Sequence, residues 1–121
     1  MITISILALK NAVMASMADS RYVFTMVNEF LRQAGKPSLF NVQLVGSSKE
    51  AVINDPFSIK PDVTINEITE HQLIIIPSLI GDMKSSVYLN KEYAPWIAEQ
   101  YKNGTEIASL CSGVFLLAYS G

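Results

Sequence analysis

The sequence of 121 residues predicts an α/β domain built on a parallel sheet. Several short runs are apolar throughout, which is typical of strands that are buried on both faces. Other segments repeat apolar residues every three or four positions, as helices packed on such a sheet do. The two kinds of segment alternate along the chain, which favours a parallel sheet with helices on its faces. The length fits one domain with a single core.

The first strand is predicted at Thr3–Leu9, a run rich in isoleucine and leucine. The best-defined helix follows, with Asp19 or Ser20 as its cap and Gly35 as its end. Its apolar stripe consists of Tyr22, Val23, Met26, Val27, Phe30, Leu31 and Ala34. The spacing of these residues predicts one buried helix face.

The later elements are shorter, and prolines at 56, 61 and 77 separate several of them. In chain order they are a strand at Phe40–Gly46, short β-like pieces at Ala51–Ile53 and Val63–Ile65, a strand at Gln72–Ile76, a helix from Tyr93 to Lys102 capped by Asn90, a strand at Ile107–Leu110, and a helix that begins with Val114–Tyr119.

Composition narrows the class of protein. Half of the residues are hydrophobic, 17% are charged and the mean hydropathy is +0.28, which excludes a disordered chain. The net charge is −2, and the nine Lys and Arg are scattered, so no basic patch for nucleic acid is expected. A single cysteine fits a reducing compartment, and no apolar run approaches the roughly 20 residues of a membrane span. We therefore expect a cytoplasmic protein without membrane contact.

That cysteine, Cys111, follows the last predicted strand and precedes the last helix. Ligands of parallel sheets bind beyond the carboxyl ends of the strands, where this turn would lie. Ser112 and Gly113 permit a sharp turn that exposes the thiol, and their N–H groups could hold an oxyanion. Cys111 is therefore a candidate nucleophile or redox sensor. The alternative is an ordinary buried small hydrophobic residue.

The segment ASLCSGVFLLAYSG resembles the nucleophile-elbow segment of the ThiJ/PfpI superfamily, whose domain is class I glutamine amidotransferase-like. Its Cys-Ser-Gly-Val-Phe-Leu-Leu-Ala form is closest to the amino-terminal domain of AraC-type transcriptional regulators. The opening strand, the helix ending at Ala34, Leu73–Ile76 with Pro77, and Trp96 ahead of Gly104 agree in order. The resemblance implies a flavodoxin-like three-layer sandwich. Residues 1–121 would form its amino-terminal portion, incomplete at the carboxyl end.

This chain departs in three places from the sequence pattern of the superfamily's enzymes. Those proteins place a glutamate after the first strand, and the matching position here is Ser16, which has no carboxylate. The hydrolase branch has a histidine directly after the cysteine, where this chain has Ser112. A glycine pair usually follows the proline of the fourth strand, and Ser78-Leu79 replaces it. These departures put catalysis in doubt.

The single histidine, His71, does not fill the gap. It precedes a strand, whereas Cys111 follows one, so the two should lie at opposite ends of a parallel sheet. A five-residue strand spans roughly 17 Å, which is too far for a partnership. We expect His71 to be a surface residue at the entrance of its strand.

The loops at the carboxyl edge should still form a pocket for a small ligand, with an apolar wall and a few hydroxyl and N–H groups. We predict no metal and no cofactor. The alternative is that these loops simply pack on each other. The predicted pocket residues are Met14, Ser16, Ser78, Leu79, Ile80, Gly81, Cys111, Ser112 and Gly113.

Two functional hypotheses follow. The resemblance and the missing acid and histidine favour an effector-sensing or dimerising domain of an AraC-type regulator, with an unidentified small-molecule effector. DNA would then be bound by a downstream helix-turn-helix outside this chain. The uncovered apolar face of Val114–Leu117 favours a homodimer. The alternative is a ThiJ/PfpI-family hydrolase, a glyoxalase-like enzyme or a redox-responsive protein that uses Cys111.

Overall fold

The computed structural model describes residues 1–68 and 70–121. Within these ranges the strands are β1 (Ile2–Leu7), β2 (Phe40–Gly46), β3 (Val52–Asn54), β4 (Phe57–Ile59), β5 (Val63–Thr64), β6 (Leu73–Ile76) and β7 (Glu106–Ser109). The helices are α1 (Met14–Gln33), α2 (Met83–Leu89), α3 (Tyr93–Lys102) and α4 (Val114–Tyr119), and a single 3₁₀ turn at Cys111–Gly113 precedes α4.

Five strands form one parallel sheet in the order β5-β2-β1-β6-β7. β1 lies at the centre, where Ile4 pairs with Val42 on one side and Leu73 on the other. The side chains of Ile6 and Ile76 are fully buried because helices cover both faces of the sheet. The predicted α/β, flavodoxin-like architecture is therefore confirmed.

The start of α1 differs from the prediction. The helix begins at Met14 instead of near Asp19 or Ser20, and no side chain caps it. The residue before it, Val13, is extended, and its N–H donates to the carbonyl of Ser78 at 2.8 Å. A contact with a distant loop fixes the start of the helix, and local sequence does not contain that information.

The apolar stripe of α1 is only partly covered. The buried residue of this helix, Met17, lies outside the stripe, as does Phe24, whose ring meets Phe40 edge-on at 5.0 Å. In contrast, Tyr22 and Phe30 are 63% and 61% exposed. The periodicity therefore identified the helix but overstated how much of it is buried.

Two elements were not predicted. The first is α2, whose amino end is capped by Asp82. The hydroxyl and the backbone N–H of Ser85 both donate to the Asp82 carboxylate, which lowers the pKa of that carboxyl. The second is β4, which pairs antiparallel with β3 as a separate hairpin, with Asn54 opposite Phe57. Both are too short to produce a recognisable periodicity.

A groove of about 850 Å³ lies between α2 and α4; we call it the α2–α4 groove. The uncovered face predicted at Val114–Leu117 is present in part, because Val114 and Phe115 are exposed while Leu116 is fully buried. The residues that line the groove are Met83, Lys84, Ser85, Val87, Tyr88, Leu89, Phe115, Ala118 and Tyr119. Among the described residues, no helix is both long enough and apolar enough to traverse a bilayer.

Candidate functional site

Cys111 lies at the carboxyl edge of the sheet, just after β7, whose Ser109 pairs with Ile76 of β6. Its φ is +47°, in the left-handed region that non-glycine residues seldom adopt. The thiol is exposed. The alternative of a buried hydrophobic cysteine is therefore wrong for this position.

Position 113 requires glycine because the backbone after β6 passes too close for a side chain. A Cβ at this position would lie 2.5 Å from the carbonyl oxygen of Pro77 and 2.6 Å from that of Ile76. Gly113 is buried, and its N–H already donates to the carbonyl of Leu110 at 2.9 Å. The predicted role of Gly113 as an anion donor and pocket residue is corrected accordingly, because its N–H group is committed and its surface is covered.

Three of the predicted site residues form a hydrogen-bonded group, which we call the serine cluster: Ser16, Ser78 and Ser112. The Ser112 hydroxyl donates to the carbonyl of Leu79 and accepts from its N–H, both at 2.8 Å. Because this uses the only Ser112 hydroxyl proton, the Ser78 hydroxyl donates to Ser112 Oγ at 2.8 Å. Ser16 Oγ accepts from the Ser78 N–H at 2.9 Å.

The serine cluster joins the start of α1, the loop after β6 and the turn after β7. The same loops are connected by backbone bonds, including a bridge between Ala12 and Leu79 and a 2.8 Å bond from the Ile80 N–H to the Asn11 carbonyl. Leu79 is buried, so it is a packing residue and not an open wall of the predicted pocket. Gly81, with a φ of +80°, is exposed beyond it.

The remaining predicted residues, Met14 and Ile80, line a separate concavity of about 400 Å³, which we call the hairpin cavity. It lies between the loop after β1, the β3–β4 hairpin and the loop after β6. Cys111 is not among its lining residues. Sequence reasoning missed the hairpin side because β4 was not predicted. The lining residues are Asn11, Ala12, Val13, Met14, Ile53, Asn54, Asp55, Phe57 and Ile80.

His71 is buried, so the expectation of a surface residue is wrong. Its Nδ1 lies 2.9 Å from Ser5 Oγ and its Nε2 lies 2.8 Å from Gln100 Oε1, with the Trp96 ring 5.4 Å away. Because Gln100 Oε1 can only accept, Nε2 is the donor in this bond. His71 precedes β6 and Cys111 follows β7, so the two lie at opposite ends of the sheet. Ser5, a polar residue inside an apolar strand, was the available sign of a buried partner.

Across residues 1–68 and 70–121, no group of three or more His, Cys, Asp or Glu side chains is arranged to hold a metal ion. The chemical groups at the carboxyl edge are therefore an exposed thiol, the hydroxyls of the serine cluster and the lining of the hairpin cavity.

No protein-family model matches the chain, and no curated protein matches it either. Solved structures do match. A Vibrio parahaemolyticus protein described as a transcriptional regulator has a TM-score of 0.79 and 22% identity, over 100% of this chain and 62% of its own. An AraC family transcriptional regulator from Pseudomonas putida has a TM-score of 0.72 and 13% identity, over 100% and 62%.

A ThiJ/PfpI family protein from Pseudomonas syringae has a TM-score of 0.69 and 16% identity, over 98% of this chain and 45% of its own. This chain thus spans about three fifths of the length of the two regulators and less than half of the ThiJ/PfpI protein. At these identities the matches establish the fold. The ThiJ/PfpI fold implied by the sequence resemblance is therefore confirmed.

Proposed function

We propose that this chain is an effector-sensing or dimerising domain of an AraC-type transcriptional regulator. The observation that carries the proposal is the hydrogen bonding of Ser16. This residue stands where the superfamily resemblance implies a catalytic glutamate, and its hydroxyl accepts from the Ser78 N–H. The position that would tune a catalytic thiol is therefore occupied by a side chain that holds two loops together.

The second support is the lack of an imidazole at the carboxyl edge. The single histidine of the chain, His71, is engaged by Ser5 and Gln100 at the other end of β6. A cysteine nucleophile normally needs a neighbouring base or a stabilising cation. The residues next to Cys111 are better suited to recognition than to catalysis.

The third support is the likeness to two proteins described as transcriptional regulators, both of which match the whole of this chain. In this proposal, DNA is bound by a helix-turn-helix outside the 121 residues. The domain itself would respond to a small molecule or bring two copies together.

Sequencing the coding DNA past the codon for Gly121 tests the proposal. We expect the reading frame to complete the sandwich and then to enter a basic helix-turn-helix segment. A frame that completes the sandwich and stops, with a histidine placed to reach Cys111, would overturn the proposal in favour of an enzyme.

One observation favours a second candidate, a cysteine-dependent hydrolase, glyoxalase-like enzyme or redox-responsive protein. Cys111 is exposed and has a φ of +47°, and backbone outliers of this kind are frequent at functional sites. The test compares the protein encoded by the complete reading frame with its Cys111→Ser variant on methylglyoxal and on p-nitrophenyl acetate. Turnover that the substitution abolishes would establish the enzyme, whereas equal background rates in both proteins support the regulator.

A further inference from the structure

The hairpin cavity gathers large apolar side chains from two separate parts of the chain. Ile53 and Phe57, on either side of the β3–β4 turn, are 74% and 53% exposed, and Ile80, in the loop after β6, is 51% exposed. Single exposed hydrophobic residues are common, but three around one concavity are typical of a binding site. The cavity volume of about 400 Å³ falls in the range of small-molecule sites.

The two asparagines of the cavity are already occupied by protein partners. Asn54 Oδ1 accepts from the Asn11 N–H at 2.8 Å, and Asn54 Nδ2 donates to the carbonyl of Leu9 at 3.0 Å. The side chain of Asn11 donates to Ser86 Oγ at 3.2 Å. The first two bonds connect the hairpin to the loop after β1, and the third connects that loop to α2, so the Asn54 amide and the Asn11 amide nitrogen shape the cavity.

The charged group of the cavity is Asp55, in the turn between β3 and β4. It is exposed, and none of the three ion pairs in the described part of the chain includes it. A carboxylate without a protein cation at the edge of an apolar concavity favours a positively charged ligand. The neighbouring Phe57 ring can also attract an ammonium group through its π face.

We propose that the hairpin cavity binds a small organic amine whose aryl or alkyl body packs between Ile53, Phe57 and Ile80 while its ammonium group pairs with Asp55. This proposal deepens the proposed function and rests on it, because the amine would be the effector.

Amide NMR titration of the ¹⁵N-labelled chain tests the proposal with three probes that share a phenyl ring on a short chain. These are 2-phenylethylamine, the neutral 2-phenylethanol and the anionic 3-phenylpropionate. We expect the amine to bind about tenfold more tightly than the alcohol, and the propionate to bind most weakly. The shift changes should be confined to β3, β4 and the residues around Ile80.

Two substitutions of the same type separate the role of the carboxylate from a general effect of charge. Asp55→Asn should weaken amine binding about tenfold and leave alcohol binding unchanged. The control is Asp19→Asn, which removes an exposed carboxylate from α1 and should change amine affinity by less than about twofold. If Asp55→Asn fails to fold, Phe57→Leu provides the second test, with a larger loss for the amine than for the alcohol.

Equal affinity for the three probes, no binding of the amine, insensitivity to Asp55→Asn, or shifts centred on the Cys111 turn would each overturn this inference. None of these outcomes affects the regulator proposal, which is tested by the reading frame beyond Gly121 and by turnover that depends on Cys111. The two failures are therefore distinguishable.

Discussion

A side chain at position 113 would have to enter space already held by the carbonyl oxygens of Ile76 and Pro77. Gly113→Ala should therefore destabilise the fold by about 2–3 kcal/mol in urea unfolding, because backbone atoms must shift. Gly35→Ala is the control, since nothing lies within 4 Å of it and only its φ of +74° resists a side chain. That substitution should cost about 1–2 kcal/mol. If Gly113→Ala lowered the free energy of unfolding by less than Gly35→Ala, the backbone after β6 would not lie this close to position 113.

Ser112 and Cys111 are neighbours in the chain, but we expect their substitution to change the free energy of unfolding by different amounts. Ser112→Ala removes the acceptor of the buried Leu79 N–H and should cost about 1–3 kcal/mol. Cys111→Ser changes an exposed side chain and should stay within about 0.5 kcal/mol of the wild type. Thermal or urea unfolding of both variants measures the difference. If Cys111→Ser lost the fold, Cys111 would be a packing residue.

The residues of the site were easier to predict than their partners. Cys111, Ser112 and Ser78 were predicted at the carboxyl edge because each follows a strand of a parallel sheet. The hydrogen bonds among them depend on distances between loops that are far apart in sequence. The same limitation hid the burial of His71, whose partners Ser5 and Gln100 lie on other elements.

At the scale of secondary-structure elements, His71 connects α3 to the central strand, because it contacts Ser5 of β1 and Gln100 of α3. We expect His71→Leu and Gln100→Leu to be non-additive, since either one already breaks the connection. The coupling free energy in a double-mutant cycle should be about 1 kcal/mol. Pairing His71→Leu with Gln33→Leu, on the exposed end of α1, should instead give additive losses.

We expect the buried Tyr93, at the start of α3, to make the protein less stable at alkaline pH. Burial raises the pKa of its phenol to about 12, whereas an unfolded tyrosine ionises near 10. The folded state therefore holds the proton more tightly. The raised pKa contributes about 2–3 kcal/mol to the free energy of unfolding. This contribution is complete below pH 10 and is lost as the pH rises to about 12.

Urea unfolding at a series of pH values measures this loss. Tyr93→Phe should flatten the alkaline decline, because it removes the titrating group. Tyr101→Phe, which alters a tyrosine that is 70% exposed, should leave the decline unchanged. An equal decline in both variants would assign the effect to other groups.

The length of an element decided whether it could be predicted. β1, β2, β6 and β7 were found within one or two residues because continuous apolar runs mark strands of a parallel sheet. α2 has seven residues and β4 has three. These lengths are too short to show the apolar repeat of a helix or the alternation of a strand. The start of α1 was misplaced because Ser78, not a local cap, fixes it.

For the molecule as a whole, the α2–α4 groove predicts self-association of the 121-residue chain. Phe115 and Tyr88, on its two sides, are 52% and 61% exposed, and burying them in a second copy would be favourable. Light scattering over a range of concentrations should detect dimers or larger species. Phe115→Lys should shift the chain toward monomer, while Tyr22→Lys, on the exposed face of α1, should not. A wild-type chain that remains monomeric would contradict the prediction.

The position of β1 at the centre of the sheet has a consequence for synthesis on the ribosome. β1 is translated before its neighbours β2 and β6, and Ile4 remains half-paired until Leu73 has emerged. Its apolar side chains lack this neighbour until residue 73 has been translated, and pairing between distant segments is slow. A nascent chain stalled before β6 would therefore expose one unpaired edge of an apolar strand, which is a surface prone to aggregation during translation.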